Sequence, residues 1–398
     1  MSVSTPIQRR LEDVARSPER RVLLLDPWLL LAAAGLLTCS LVTIYGATRH
    51  DVAGSPYYYV ERQAIYATLG LVAAIFLARF DYSRLRELRL GVYGLLIGSN
   101  LLVLAIAGAT RGSRRWIDLP FFRVQPSELG KVLLIVALAA FVVDRARWLH
   151  DRQTTARIML LALVPALLVI VQPDLGTGLV YVVVAMMLLF VAGSSWKHLT
   201  ALVALFAVAA SLVLVVAPAV GVHVLKPYQV QRLTGFLKPS RDPRNQTYQI
   251  TQSKIAIGAG QKTGRGIRNA TQTGLNYLPE NHTDFIFSVV GETYGFLGAA
   301  VVLSLYALLI WRALRIVTLA KNLYGALIAG GVLATLMFQV FVNVGMTIGI
   351  MPITGVPLPL MSFGGSSVLV TFICLGLLQS IHVQGRIAAA NKGRALVI

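Results

Sequence analysis

Cysteine is nearly absent from this chain. Its two cysteines, Cys39 and Cys374, both fall inside long apolar stretches, which excludes a disulfide framework and a thiolate metal site. Charge is scarce as well: 13% of residues are charged and 56% hydrophobic, with a mean hydropathy of +0.70. That balance excludes an ordinary soluble domain. The acids are the scarcer sign, 17 Asp and Glu against 36 Lys and Arg, giving a net charge of +19. A cleavable signal is also missing from the expectation. The first 22 residues carry arginines and acids, and no small-residue cleavage site follows a short apolar core, so the first span is expected to stay in the protein.

What is present is a succession of apolar stretches long enough to cross hydrocarbon about 30 Å thick. They predict an all-α polytopic membrane protein with ten spans, near 25–47, 59–79, 89–109, 127–144, 157–172, 175–194, 198–220, 284–311, 322–350 and 366–384. An even count puts both termini on one side. Arg9, Arg10, Arg16, Arg20 and Arg21 precede the first span, and Arg386, Lys392 and Arg394 follow the last. Together with the basic loops at 79–89, 145–157 and 312–321, they assign both termini to the cytoplasm. The expected organisation is a tail at 1–24, a transmembrane domain at 25–385 and a tail at 386–398, with a long extracytoplasmic loop at about 221–283.

Two loops depart from the charge rule. The loop after the third span holds Arg111, Arg114, Arg115 and Arg123, and the loop at 221–283 holds Arg232, Lys254 and seven further Lys or Arg residues, yet both are expected outside. Cations there suit anionic headgroups or a phosphate-bearing lipid. The plainer reading is that long loops tolerate positive charge. Nucleic acid is not an expected partner, because these charges face away from the cytoplasm and carry no recognisable binding module.

Polar clusters sit where a bilayer penalises them. Gln125-Pro-Ser-Glu-Leu-Gly-Lys131 opens the fourth span, with Pro126 suited to a first helical turn and Glu128 three residues from Lys131. It reads equally as a helix start with an internal ion pair. Asp174, in the QPDLG turn, reads as a helix cap or as a site acid. Gln339, Asn343 and Thr347 form a stripe that interhelical hydrogen bonding explains. Pro352–Pro359 and Ser362–Ser367 break the backbone at membrane depth, which is tolerated against protein or a wet cavity. Helix-start donors around Ser366 suit an anion, and serine capping is the compatible alternative.

The richest segment is LPENHTDFIF at Leu278–Phe287. Asp284, Ser288 and Glu292 follow at four-residue steps, the spacing of one helical face. Thr283 or Asp284 capping the eighth helix is the competing reading. Gly291, Gly295 and Gly298 form a small-residue ridge suited to a close neighbour. His282 reads best as a hydrogen-bonding boundary residue.

RWIDL (Arg115–Leu119), QPSELGK, QPDLGTGL, YQVQRL (Tyr228–Leu233), QSKIAIGAG (Gln252–Gly260), LPENHTDFIF and PLPLMSFGGSS resemble, in that order, the SEDS (shape, elongation, division, sporulation) proteins of bacterial wall synthesis. The resemblance runs from about residue 25 to 385. It implies a peptidoglycan glycosyltransferase of the cytoplasmic membrane that polymerises lipid II and works with a class B penicillin-binding protein. Thr354 in PITGVPLP favours the elongation (RodA-like) branch over the division (FtsW-like) branch, which typically has lysine there. The chain departs from the pattern at Phe363, where tyrosine is usual, at Thr293, where a second glutamate is usual, and at Gln261-Lys262, where Gly-Leu is common. By resemblance and position, Asp284 is the candidate base or metal-binding acid, with Mg²⁺ or another divalent cation as the metal and no organic cofactor. Arg115, Arg232 and Lys254 are candidate diphosphate contacts, and Trp116 a candidate sugar platform. Glu128, Lys131, Glu292 and Ser366 complete the candidate substrate site; Glu128 and Lys131 join it if the fourth and eighth spans pack together. A lipid II flippase and a scaffold for the penicillin-binding protein are the rivals.

Overall fold

The computed structural model describes residues 24–52, 54–106, 115–118, 123–212, 246–275 and 277–395. The N-terminal arginines, the end of the seventh span and the loop segment 221–245, with Arg232, lie outside the described residues.

The helices are α1 (Pro27–Thr48), α2 (Tyr58–Arg79), α3 (Arg89–Ile106), α4 (Pro126–Asp144), α5 (Arg152–Val171), α6 (Leu175–Val191), α7 (Trp196–Ser211), α8 (Gln246–Gly260), α9 (Ile286–Leu319), α10 (Leu323–Thr347) and α11 (Gly365–Ala395). Eight are long and apolar enough to cross a membrane, and α6 and α7 are shorter apolar helices. Each of the ten expected spans is helical over most of its described residues, although α9 and α11 continue past their expected ends. The helix starts follow local chemistry. Asp26 caps α1 by accepting from the Trp28 and Leu29 amides, Pro126 sits in the first turn of α4, and the Asn322 side chain accepts from the Gly325 amide to start α10.

Burial separates centre from rim. In α4, α10 and α11, 83, 78 and 83% of the apolar window is buried, against 28 and 17% in α2 and α3. The rim helices turn Phe76, Leu90 and Ile106 outward, a surface suited to lipid tails rather than water. The fourth span packs on α3, α6, α10 and α11, whereas α9 packs mainly on α1, α8 and α10. The condition for Glu128 and Lys131 to join the site is that the fourth and eighth spans pack together; their main contacts are instead with different helices, and α10 and α11 are neighbours of both.

The stretch expected as a long loop contains α8, whose 15 residues reach about 22 Å at 1.5 Å per residue, too short to cross. Instead α8 lies against α9 and α10. A methyl group at Gly260 would collide with the Gly291 carbonyl oxygen, so glycine lets the two backbones touch. α9 itself is broken at Gly295, where φ is 64° and ψ −159°, a conformation open essentially to glycine. Groups freed at the break find partners outside the helix: Phe296 N–H donates to the Gln261 carbonyl at 2.9 Å, Leu297 N–H to the Lys262 carbonyl at 3.1 Å, and Arg265 N–H to the Glu292 carbonyl at 2.9 Å. The turn after α8 thus replaces the missing helical bonds.

Candidate active site

The LPENHTD segment is a turn, not the first turn of a helix. Glu280 adopts φ of 53°, and its carbonyl accepts from the Thr283 and Phe285 amides. α9 begins only at Ile286, with Phe285 at the cap position. Asp284 therefore lies outside the helix and does not share a helical face with Ser288 and Glu292. Thr283 is not a cap either, since its hydroxyl donates to the Glu280 carbonyl and carboxylate.

Three successive carbonyls of this turn are held from outside. Phe363 N–H donates to the His282 carbonyl at 2.8 Å, Ser362 Oγ to the Thr283 carbonyl at 2.6 Å, and Asn343 Nδ2 to the Asp284 carbonyl at 2.9 Å. Asn343 Nδ2 also donates to the Val356 carbonyl at 2.8 Å, which ties PITGVPLP to the same point. The turn is closed on its side by rings: His282 meets Tyr59 at a tilt of 49° with centroids 4.8 Å apart, and Phe363 meets both. The backbone at Asp284 is fixed on three sides, and the residue stays half-buried, its side chain still reachable.

SFGGSS also reaches the other cluster. Ser366 Oγ donates to the Arg123 carbonyl at 2.9 Å and accepts from the Gln125 amide at 3.0 Å. Gln63, fully buried in α2, braces the same turn through the Ser362 carbonyl at 3.1 Å. Beyond Ser366 lies Asp174. It caps α6 through the Thr177 amide, and its other oxygen accepts from Gln125 Nε2 at 2.8 Å and Ser127 Oγ at 3.1 Å. QPSELGK and QPDLG therefore form one network, in which one Asp174 carboxylate both caps α6 and receives Gln125 and Ser127.

Arg115 faces that network from the end of a two-stranded hairpin, Ile117–Asp118 (β1) against Arg123–Val124 (β2). Its nearest guanidinium nitrogen stands 3.9 Å from Asp174, and its buried Nε has no partner among the described residues. A guanidinium anchored this loosely keeps donors for an incoming oxyanion. Trp116 beside it is half-buried.

Other candidate residues are employed differently. Glu128 and Lys131 form a buried pair at 2.7 Å, each under 4% exposed, inside α4 and apart from the Asp284 turn. Glu292 is corrected as a substrate contact: fully buried, its carboxylate accepts from the Gln272 and Thr273 amides at 2.8 and 2.9 Å and from Thr273 Oγ1 at 2.6 Å. It pins the turn at 271–274 to α9. Lys254 is exposed on α8, its chain lying across Gly349. Gln63, Gln125 and Ser362 were not singled out from sequence. The signal for Gln63 is weak, one amide directly after Glu61 and Arg62 at the start of its span; for Ser362 there is none beyond its place in SFGGSS.

The family model for cell cycle proteins of the FtsW, RodA and SpoVE type matches residues 23–387. The chain belongs to that family. It is 37% identical over 367 residues to the peptidoglycan glycosyltransferase MrdB of Escherichia coli K12, covering 92% of this chain and 96% of that one. A probable peptidoglycan glycosyltransferase FtsW of Thioalkalivibrio sulfidiphilus is 38% identical over 371 residues, covering 90% and 89%. A chain of a solved peptidoglycan synthase complex, described as coordinating polymerization and crosslinking, superposes with a TM-score of 0.75 at 34% identity, covering 91% of this chain and 98% of that one.

Proposed function

We propose that this chain is a peptidoglycan glycosyltransferase that polymerises lipid II at the outer face of the bacterial cytoplasmic membrane, with both termini cytoplasmic, and that it serves elongation beside a class B penicillin-binding protein. The observation that carries the reading is the SFGGSS turn. It holds the Asp284 turn through Ser362 and Phe363 and, through Ser366, the hairpin and network that Arg115 faces. Acid and cation are set on one hub. Likeness to MrdB and to a synthase complex supports the activity and the partner, and Thr354 supports the elongation branch.

The chemistry follows from these groups. A sugar hydroxyl of one lipid-linked glycan attacks the anomeric carbon of another. Its O–H proton passes to Asp284 as the new C–O bond forms. The bond from the anomeric carbon to the diphosphate breaks, and undecaprenyl diphosphate leaves with the electron pair. Arg115 stabilises that charge where water is partly excluded. Among the described residues no group of three or more His, Cys, Asp or Glu side chains is gathered. A divalent cation would therefore be held by Asp284 together with diphosphate oxygens, a mode that suits Mg²⁺; when bound it would supply further charge for the leaving group.

The test is polymerisation of purified lipid II by the chain co-purified with its penicillin-binding protein. Asp284→Ala is expected to lower the rate at least about 100-fold, the usual scale for a general base, while folding and partner binding persist. Equal product from both proteins would remove Asp284 from the mechanism. Transbilayer movement of lipid II in vesicles without glycan product would replace a polymerase by a flippase.

A further inference from the structure

At the end of the bundle opposite Asp284, a cavity of about 490 Å³ opens between the last turn of α2, the turn after it, the residue preceding α10 and the last turns of α11. Three cations line it, Arg79, Arg84 and Lys321, against one acid, Asp81. Lys321 is already engaged, 3.7 Å from Asp81 and 5.2 Å over the Tyr82 ring. Burial pushes the Asp81 carboxyl up, but the Ser83 N–H at 2.9 Å and the Lys321 charge outweigh it and hold it below the ordinary range. Asp81 therefore stays ionised and keeps Lys321 occupied. Arg79 and Arg84 are exposed, and among the described residues neither has an ion-pair partner. Two positive charges are left facing the opening.

The wall supplied by α11 is different. Ile387 makes it apolar, and Gln384 beside it has a buried Oε1 with no partner among the described residues, while its Nε2 donates to Ser380 Oγ at 3.3 Å and its side chain also hydrogen-bonds to Asp81. A ligand for this cavity must bring an anion for the arginines, a hydroxyl for Gln384 and an apolar body along α11. Cations in the last turn of a helix also complement its dipole, but that role needs neither a cavity nor an unfilled acceptor. Basic pockets between helices at a membrane surface receive anionic headgroups, and a volume of this size suits a small polar ligand.

We propose that this cavity is a headgroup site for an anionic phospholipid of the leaflet at that end of the bundle, with the phosphate on Arg79 and Arg84 and a glycerol hydroxyl on Gln384. The site stands apart from the Asp284 cluster and does not depend on the reaction assigned there.

The experiment places the full chain in phosphatidylcholine nanodiscs with a small fraction of spin-labelled phosphatidylglycerol, phosphatidic acid or phosphatidylcholine, and reads the motionally restricted fraction by electron spin resonance. The native chain is expected to prefer labelled phosphatidylglycerol over phosphatidylcholine several-fold. Arg79→Ala with Arg84→Ala should abolish the preference. Arg147→Ala with Arg152→Ala removes the same charge elsewhere at that end and should leave it intact. Gln384→Leu should weaken phosphatidylglycerol several-fold and spare phosphatidic acid, which has no headgroup glycerol. Unchanged melting curves verify the fold of each variant. No preference in the native chain, or equal loss in both double variants, overturns the site; displacement of the labelled lipid by millimolar inorganic phosphate overturns the lipid as its occupant.

Discussion

Asn343 carries two loops on one amide group. Its Nδ2 donates to the Asp284 and Val356 carbonyls, and its Oδ1 is buried without a partner among the described residues. Asn343→Leu leaves two carbonyls without a donor, at a cost of about 1–3 kcal/mol. A displacement near 1 Å at Asp284 can lower the rate about 100-fold. The expected result is a fall in kcat larger than the change in KM, with a modest drop in melting temperature; an unchanged kcat would reduce Asn343 to a packing residue. Gln261 shows the opposite case, a residue the fold tolerates without using its side chain. It sits at φ of 47°, where the family commonly has glycine. Left-handed backbone costs a non-glycine residue about 1–2 kcal/mol, part of which glycine returns through unfolded-state entropy. Gln261→Gly is expected to raise stability by up to about 1 kcal/mol in thermal melts.

At the scale of elements, the junction of α8 with the break in α9 fixes the segment that precedes the Asp284 turn. Gly260, Gly264 and Gly295 let backbone meet backbone, and Glu292 anchors the preceding turn. Gly260→Ala drives a methyl group into the Gly291 carbonyl, an overpacking change worth about 1–3 kcal/mol. The expected readout is a lower melting temperature in detergent, with activity lost in proportion as α8 lifts from α9. This junction was only half legible in the sequence. Gly291, Gly295 and Gly298 are visible as a small-residue ridge, but their spacing presumes a continuous helix. Gly295 instead leaves the helix, because amides freed at Phe296 and Leu297 find acceptors in a turn more than thirty residues earlier. Glu292 was misassigned for the same reason. Its partners at 272 and 273 are set by how that turn folds back, which four-residue steps cannot show.

At the scale of the whole molecule, the end opposite the site is tied by one buried ion pair. Asp26, fully buried at the start of α1, accepts from Arg312 Nε of α9 at 2.8 Å, and its amide donates to Gln379 of α11 at 2.8 Å. Three helices meet at that residue, α9 on its carboxylate and α11 on its backbone. Removing one partner of a buried pair typically costs about 3–5 kcal/mol, so Arg312→Ala is expected to lower the melting temperature sharply. Arg312→Met together with Asp26→Asn should lower it much less, since no uncompensated charge remains; equal losses would make packing rather than charge the tie.

The sequence by itself determined the class, the ten spans and the chemical suspects, because hydrocarbon thickness dictates helix length and an acid beside an apolar run stands out at any position. LPENHTDFIF, QPSELGK and QPDLG were all readable as anomalies. The tertiary structure alone decided which anomalies belong together. It joined the Asp284 turn through Ser362 and Ser366 to the Arg123–Gln125 segment, whose network Arg115 faces, left Glu128 paired with Lys131 inside α4, and turned Glu292 toward an amide pair. The reason is physical: in a lipid-embedded bundle, broken backbone must find donors within the protein, and those donors come from segments that no local spacing connects.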